Sequence, residues 1–440
     1  MPATPQPTAP TAAAVFTPSR RADPLTGGEP VAAAPRGVRR IDAVDMLRGL
    51  VMVIMLLDHT RDFAHVDAMH FDPSDVARTT VPLFFTRWVT HFCAPVFVFL
   101  AGTGAYLQRV RGRGDGELAR YLVTRGLWLV VLEFTVVRLG YSFNLDYSFV
   151  GMLQAIWTIG ISMIVLAALL RLPTALLGAL GVAMIALHNL LDGVRVAPWG
   201  GPGTPAPAMG ARLWMVLHQP GFLPVAGSDG PTAFVLYPLV PWVGVMLAGF
   251  AFGAVYRMEP VARQRLLVRL GAAVTALFIA IRMANVYGDP SRWSVQPRPV
   301  FTLLSFLNTS KYPPSLLYLL MTLGPALLLL ALFERRLERG ATGATARALT
   351  TFGRVPMFYY LLQWPVSHGI AIIAGVIAGQ TVAYQFFDPF HKPSPPPPNV
   401  GFSLPMVYLF WAIGLLILYP LCRWFAALKA RRRDWWLGYL

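Results

Sequence analysis

Arg48 and His59 stand eleven positions apart in one apolar stretch of the chain. At about 100° per residue, eleven helical steps return to within roughly 20° of the starting face. The two side chains then share a stripe, three turns apart, with Asp45 and Asp62 close to it. Ionisable groups at membrane depth cost a few kcal/mol each, so they face the protein interior and mark function. Histidine is the side chain suited to moving a proton near neutral pH. A neighbouring carboxylate, Asp58 or Asp62, can orient its ring and stabilise the imidazolium. The stripe reads as one wall of a reaction site in which a histidine can move a proton.

Other residues could join it. His65, His70, Asp72 and Asp75 follow His59, but their spacings match no strong metal signature, and no metal is expected. Arg87 and His91 are i,i+4 neighbours in the next apolar run. Gly102 and Gly104 suit close helix packing better than phosphate binding. Lys311, in Asn308-Thr309-Ser310-Lys311-Tyr312-Pro313-Pro314, could bind an anionic substrate group or snorkel to the interface. Glu133, Arg138, Arg282 and Arg354 read as structural ion pairs between helices, with Glu133 expected to pair with a basic group. Cys93 and Cys422 are read as small core residues, with no disulfide framework.

The elements that must position these groups are apolar helices. Hydrophobic residues make up 55% of the 440, charged residues 13%, and mean hydropathy is +0.54. A soluble domain carries about 25% charged residues. The expected fold is all-α, a polytopic membrane helical bundle of about ten transmembrane helices. Runs of about 20 apolar residues fall at 43–63, 83–107, 121–141, 148–170, 173–191, 234–256, 266–286, 314–334, 350–376 and 404–427. Residues 1–37, rich in Pro, Ala and Thr, read as a disordered cytoplasmic arm with no secretory h-region. Residues 38–430 form the membrane domain, and 431–440 a basic-aromatic cytoplasmic tail.

The net charge of +16 gives no argument for nucleic acid, because the excess follows topology. With a cytoplasmic N-terminus, the inner connections carry Arg109, Arg111, Arg113 and Arg120, then Arg171, then Arg257, Arg263, Arg265 and Arg269, then Arg335, Arg336, Arg339 and Arg347. The outer connections carry far fewer, so both termini are expected inside. The outer connections are also the long ones. They hold Trp199, Trp214, His218, Trp293, Lys392 and the run Pro395–Pro398, expected to be extended polyproline.

The opening Asp42-x-x-Asp45-x-x-Arg48-Gly49, followed by Asp58-His59, resembles the heparan-α-glucosaminide N-acetyltransferase catalytic-domain family, its bacterial members most of all. Phe97-Val98-Phe99-Leu100-Ala101-Gly102, Lys311-Tyr312-Pro313-Pro314-Ser315-Leu316 and Gly353-Arg354-Val355-Pro356 extend the resemblance from about residue 38 to the end. The Arg-x10-His spacing is also similar to the wider membrane acyltransferase superfamily, which acylates extracytoplasmic sugars. The resemblance implies a transferase of the bacterial inner membrane that uses cytoplasmic acetyl-CoA, or another acyl-CoA, and a sugar or glycan acceptor outside. It gives His59 the catalytic role and Arg48 a supporting one, beside the Asp58 and Asp62 carboxylates that the residues themselves suggest. Arg109, Arg111 and Arg113 would meet the donor's phosphates, and Arg87, His91 and Lys311 the acceptor. The lysosomal branch carries its active histidine where His70 stands, so His59 and His70 are both candidate bases, and an acyl-histidine route stays open beside direct transfer. The bilayer is the expected partner, with a homodimer as an assembly to test. A proton-linked transporter or flippase is the competing class. Such proteins often show two related halves, and no internal repeat is evident.

Overall fold

The structure, a computed structural model, describes residues 42–340, 343–386, 396–432 and 434–439. The expected arm at 1–37, together with Lys392 and Pro395 of the last outer connection, lies outside the described residues. Pro398, at the end of the same proline run, begins a turn.

The first helix, α1 (Asp42–Ala64), opens with Asp42 and Asp45 in its first turn and closes with Arg61 in its last. Those signs complement the helix dipole at both ends. A break at His91 and Phe92 separates α2 (Val81–Thr90) from α3 (Cys93–Val110). The Thr80 side chain caps α2 by accepting from the Leu83 N–H. A π-turn at Glu133–Val137 joins α4 (Asp115–Leu132) to α5 (Arg138–Ser142). Then follow α6 (Ala155–Leu169), α7 (Thr174–Leu187), α8 (Met209–Leu217), α9 (Leu239–Phe252), α10 (Pro260–Ala284) and α11 (Pro299–Leu307). The series ends with α12 (Leu316–Glu338), α13 (Ala344–Arg354), α14 (Pro356–Ile377) and α15 (Leu404–Arg431).

The helical bundle stands as expected; the count of about ten spans is not confirmed. Among the described residues, seven helical segments are long and apolar enough to cross a bilayer. Charge explains two of the differences. α1 carries Asp45, Arg48, Asp58, Arg61 and Asp62, and α4 carries Asp115, Glu117, Arg120 and Arg125. The expected span at 148–170 begins as a strand, β1 (Phe149–Leu153), and only its second part is helix. β1 pairs in parallel with β3 (Thr232–Val235), which pairs antiparallel with β2 (Gly221–Pro224), giving the order β1-β3-β2. The expected span at 350–376 is two helices, broken between Arg354 and Pro356, because a residue before proline avoids helical dihedrals.

α1 is the hub: it packs against α2, α3, α12, α13, α14 and α15. Glycines make two of the closest seams. A Cβ on Gly353 would overlap the Asp45 carbonyl, and one on Gly49 the Leu349 carbonyl, so α1 and α13 meet backbone to backbone. Gly102 and Gly249 do the same for α3 and α9. Small residues permit such approach in membrane bundles.

Candidate active site

Adjacent positions on α1 send Asp58 and His59 to different neighbours, because consecutive helical residues diverge by about 100°. Asp58 faces α2. Its Oδ1 and Oδ2 accept from Arg87 Nη1 at 2.9 and 3.1 Å, and Oδ1 accepts from Thr90 Oγ1 at 2.7 Å. Arg61 Nη2 lies 2.6 Å from Oδ1, and Lys311 Nζ lies 3.8 Å from Oδ2. One buried carboxylate thus holds three cations from α1, α2 and the turn before α12. Arg61 also binds the exposed Asp62 at 2.6 Å. With Asp62 counted, the cluster keeps one net positive charge. Among the described residues, Arg61 Nε, Arg61 Nη1 and Arg87 Nε are buried without hydrogen-bond partners. They are N–H donors available to a ligand.

His59 faces α14. Its ring lies 3.7 Å, centroid to centroid, from Trp364. Among the described residues no hydrogen bond engages either of its ring nitrogens. Tyr141 and Tyr360 flank the same indole at 5.8 and 6.4 Å. The Trp364 Nε1 and both amide atoms of Gln363 are buried without partners. This is a half-buried imidazole on an aromatic wall, one helical position from a cationic cluster.

The remaining expected residues divide. Arg87 and Lys311 join the cluster, as ligands of Asp58. His91 ends α2; it is buried, its Nδ1 lies 3.2 Å from the Trp88 carbonyl, and Tyr318 donates to its own carbonyl at 2.8 Å. Arg48 donates to the Leu100 carbonyl at 3.0 Å and pairs with Asp45 at 3.5 Å. An eleven-residue rise of about 16 Å separates it from His59. His70 is exposed in the turns beyond α1. His65 is buried, and its Nδ1 accepts from the Asp67 and Ala68 N–H groups at 3.1 and 3.2 Å. Burial holds its pKa below the ordinary value of 6.5, against the pull of Asp67. Among the described residues Glu133 has no basic partner: it accepts from the Ile156 and Trp157 N–H groups at 3.1 and 3.0 Å, at the N-terminus of α6. Arg138 and Arg282 donate to backbone carbonyls instead of spanning to carboxylates. Arg354 makes the expected kind of ion pair, with Asp42 at 3.2 Å.

The far end of α3 holds a second feature. A cavity of about 620 Å³ is lined by Tyr106, Arg109, Arg171, Pro173, Thr174 and Arg257, among others. Three guanidinium groups, from the ends of α3, the α6–α7 connection and the turn after α9, border it. Of the three arginines expected to meet phosphates, Arg109 alone lines it. Arg111 and Arg113 belong to the turn that Gly112 makes at φ +96. Arg111 is exposed, and Arg113 is held by Glu117 at 3.1 Å and by Gln108. Arg171 and Arg257 were read only as topological charge. Their signal was position, since each follows an apolar run directly, as Arg109 does.

The sequence model of the family described as "Heparan-alpha-glucosaminide N-acetyltransferase, catalytic" matches residues 40–291, more than half of the chain. The match covers α1 to α10, and with them Asp58, His59, Arg87 and the three arginines of the cavity. No curated protein matches the chain.

Proposed function

Because the chain belongs to the heparan-alpha-glucosaminide N-acetyltransferase catalytic family, we propose that it moves an acyl group, acetyl in the simplest case, from acyl-CoA to an amine or hydroxyl of a sugar or glycan. The observation that carries the reading is the pairing of two features along α3. A cavity bordered by three arginines lies at one end and the Asp58 cluster at the other, about 24 Å apart by helical rise. The first suits the phosphates of a CoA. The second, with the His59 ring beside it, suits the reacting carbonyl. Arg48, bonded to Leu100 midway along α3, stands between them.

In this mechanism a ring nitrogen of His59 takes the proton of the acceptor as its nitrogen or oxygen attacks the thioester carbonyl. Negative charge develops on the carbonyl oxygen. The partnerless N–H groups of Arg61 and Arg87 are donors fixed in place before the reaction, the arrangement that stabilises such an oxyanion. Collapse breaks the carbon–sulfur bond, and the imidazolium returns its proton to the leaving thiolate. Trp364 keeps the imidazole in place and shields it from water.

The sidedness rests on the basic residues of the sequence. The arginine cavity lies at the end rich in Arg, which the positive-inside rule assigns to the cytoplasm, in a bacterial inner membrane with both termini inside. The acceptor then arrives from the opposite face. In sealed vesicles of known orientation, labelled acetyl-CoA offered on the cytoplasmic side should label acceptor enclosed on the other. Donor and acceptor used from one side would defeat the vectorial part of the reading. Failure to transfer from either side, with coupled movement of the acceptor itself, would favour the transporter class.

A further inference from the structure

Away from both features, the chain brings two histidines and an aspartate together from separate elements. His188 opens a short turn directly after α7, and Asp192 closes it. His218 follows α8. His188 Nδ1 lies 3.4 Å from His218 Nε2, and Asp192 Oδ1 lies 3.8 Å from that same Nε2. The three donor atoms all fall within 4.8 Å of one another. Both histidines are buried, at 2% and 3% exposure.

These distances are close to those of a metal site waiting to contract. With bonds of about 2.0–2.1 Å, the ligand atoms of a tetrahedral zinc stand roughly 3.3–3.4 Å apart. One edge already has that length, and another needs to shorten by a few tenths of an ångström. The donor set of two imidazoles and one carboxylate is one that zinc accepts, with a fourth position left for water. In the structure His218 Nε2 is also 3.0 Å from the His188 carbonyl, a contact that a metal would replace.

The surroundings fix each ligand. Asn189 Nδ2 donates to Asp192 Oδ2 at 2.9 Å, which leaves Oδ1 facing the imidazoles. The His218 ring stacks on Trp214 at 5.2 Å and 26°, and Trp214 is tied to the Val194 carbonyl at 2.9 Å. Partners that orient the ligands in this way are a regular part of metal sites. The other charged groups near Asp192 are Asp289 and Arg195, one of each sign. His188 Nε2 is buried without a hydrogen-bond partner. It can carry the ring proton, which leaves Nδ1 as the lone-pair donor.

We infer that His188, Asp192 and His218 form a binding site for a divalent late transition metal, with zinc as its occupant. The site is a clamp. It joins the end of α7 to the end of α8. Through Asn189, whose Oδ1 accepts from the Leu316 N–H at 2.9 Å, it also braces the start of α12, just past the turn that carries Lys311. α7 begins at the arginine cavity and ends at this site, so the metal lies at the opposite end of the bundle from that cavity. The expectation of no metal rested on the spacing of the residues after His59; thirty residues separate His188 from His218, and no compact motif marks them.

The test uses the full chain purified in detergent. After chelation and buffer exchange it is titrated with zinc, reading bound metal by mass spectrometry and the melting temperature in parallel. One zinc per chain and a raised melting temperature are expected. Asp192→Asn and His218→Gln should each weaken zinc binding more than about tenfold, and should melt close to the metal-free parent when zinc is withheld. Asp192→Asn, at a half-exposed position, remains informative if the buried histidine variant fails to fold. Zinc binding unchanged in both variants, or no bound metal in the parent, would overturn the site. Acetyl transfer is not part of the readout, so the outcome is independent of the proposed reaction.

Discussion

The Lys311 ammonium stands 3.8 Å from Asp58 Oδ2, with Lys311 only 8% exposed. It neither snorkels to the interface nor stands ready alone for a substrate anion. It completes a buried cluster in which one carboxylate balances Arg87, Arg61 and itself. Removing the carboxylate strands Arg87 and Lys311 and leaves Arg61 only Asp62, and breaking a single buried pair already costs about 3–5 kcal/mol. Asp58→Asn should therefore collapse expression or lower the melting temperature sharply. Lys311→Met removes one charge of three and should leave a folded protein. Equal melting temperatures for the two variants would contradict the arrangement.

His59→Ala should slow acetyl transfer by about 10²–10⁴-fold, the usual contribution of a general base. Its melting temperature should stay close to the parent's, because the ring has no hydrogen bond to lose. His70→Ala, changed at an exposed turn residue, should transfer at near-parental rates. The reverse pattern would move the base to His70.

At the arginine cavity, Arg171→Glu and Arg257→Glu should raise the KM for acyl-CoA. Exposed charge pairs contribute up to about 1 kcal/mol each, so each reversal should weaken the donor several-fold. The effect should shrink as salt rises, since exposed charges are screened beyond a Debye length of about 8–10 Å. Arg111→Glu, outside the cavity, is the control and should leave KM nearly unchanged.

The His65 ring accepts two N–H bonds while neutral, and its pKa is held below 6.5. The unfolded chain therefore takes up protons at His65 before the folded chain does. The stability this residue contributes is complete above about pH 6.5 and is lost as pH falls toward the folded pKa. Protection of the Asp67 and Ala68 amides, taken relative to the intrinsic exchange rate at each pH, should fall across that window. In His65→Asn the protection of the same amides should show no such fall.

The long helices were legible from apolar run length, and α1 to its polar stripe, whereas α8 and α11 fall in stretches that read as connections and α13 and α14 read as one span. The stripe itself misled in one respect. Periodicity placed Arg48, His59 and Asp62 on one face, but it could not say what each would meet. His59 meets Trp364, three hundred residues on, where nothing in the local pattern marks a partner. Arg87 and Lys311 were noticed for their charge and assigned to substrate. Only the fold shows that both bind Asp58, and Thr90 drew no notice because a lone threonine carries no signal. The small sheet escaped for a related reason: four- and five-residue strands beside apolar helices look like extensions of them. Glu133 was expected to need a cation because burial of a carboxylate demands compensation. The N-terminus of α6 supplies it with backbone donors.

Two of the glycine seams have a mechanical consequence. Where α1 meets α13 at Gly49 and Gly353, and α3 meets α9 at Gly102 and Gly249, peptide lies on peptide. There is no side chain to change rotamer and so no cushion against sliding. Those pairs behave as welded beams, and a single methyl at Gly353 would pry one apart. Interior prolines mark other points of the bundle: α12, α14 and α15 carry Pro325, Pro365 and Pro420 in their interiors, each removing one backbone hydrogen bond. Trp364 lies next to Pro365. The interior proline closest to His59 is thus on the aromatic wall in front of it, and the stiff frame is behind.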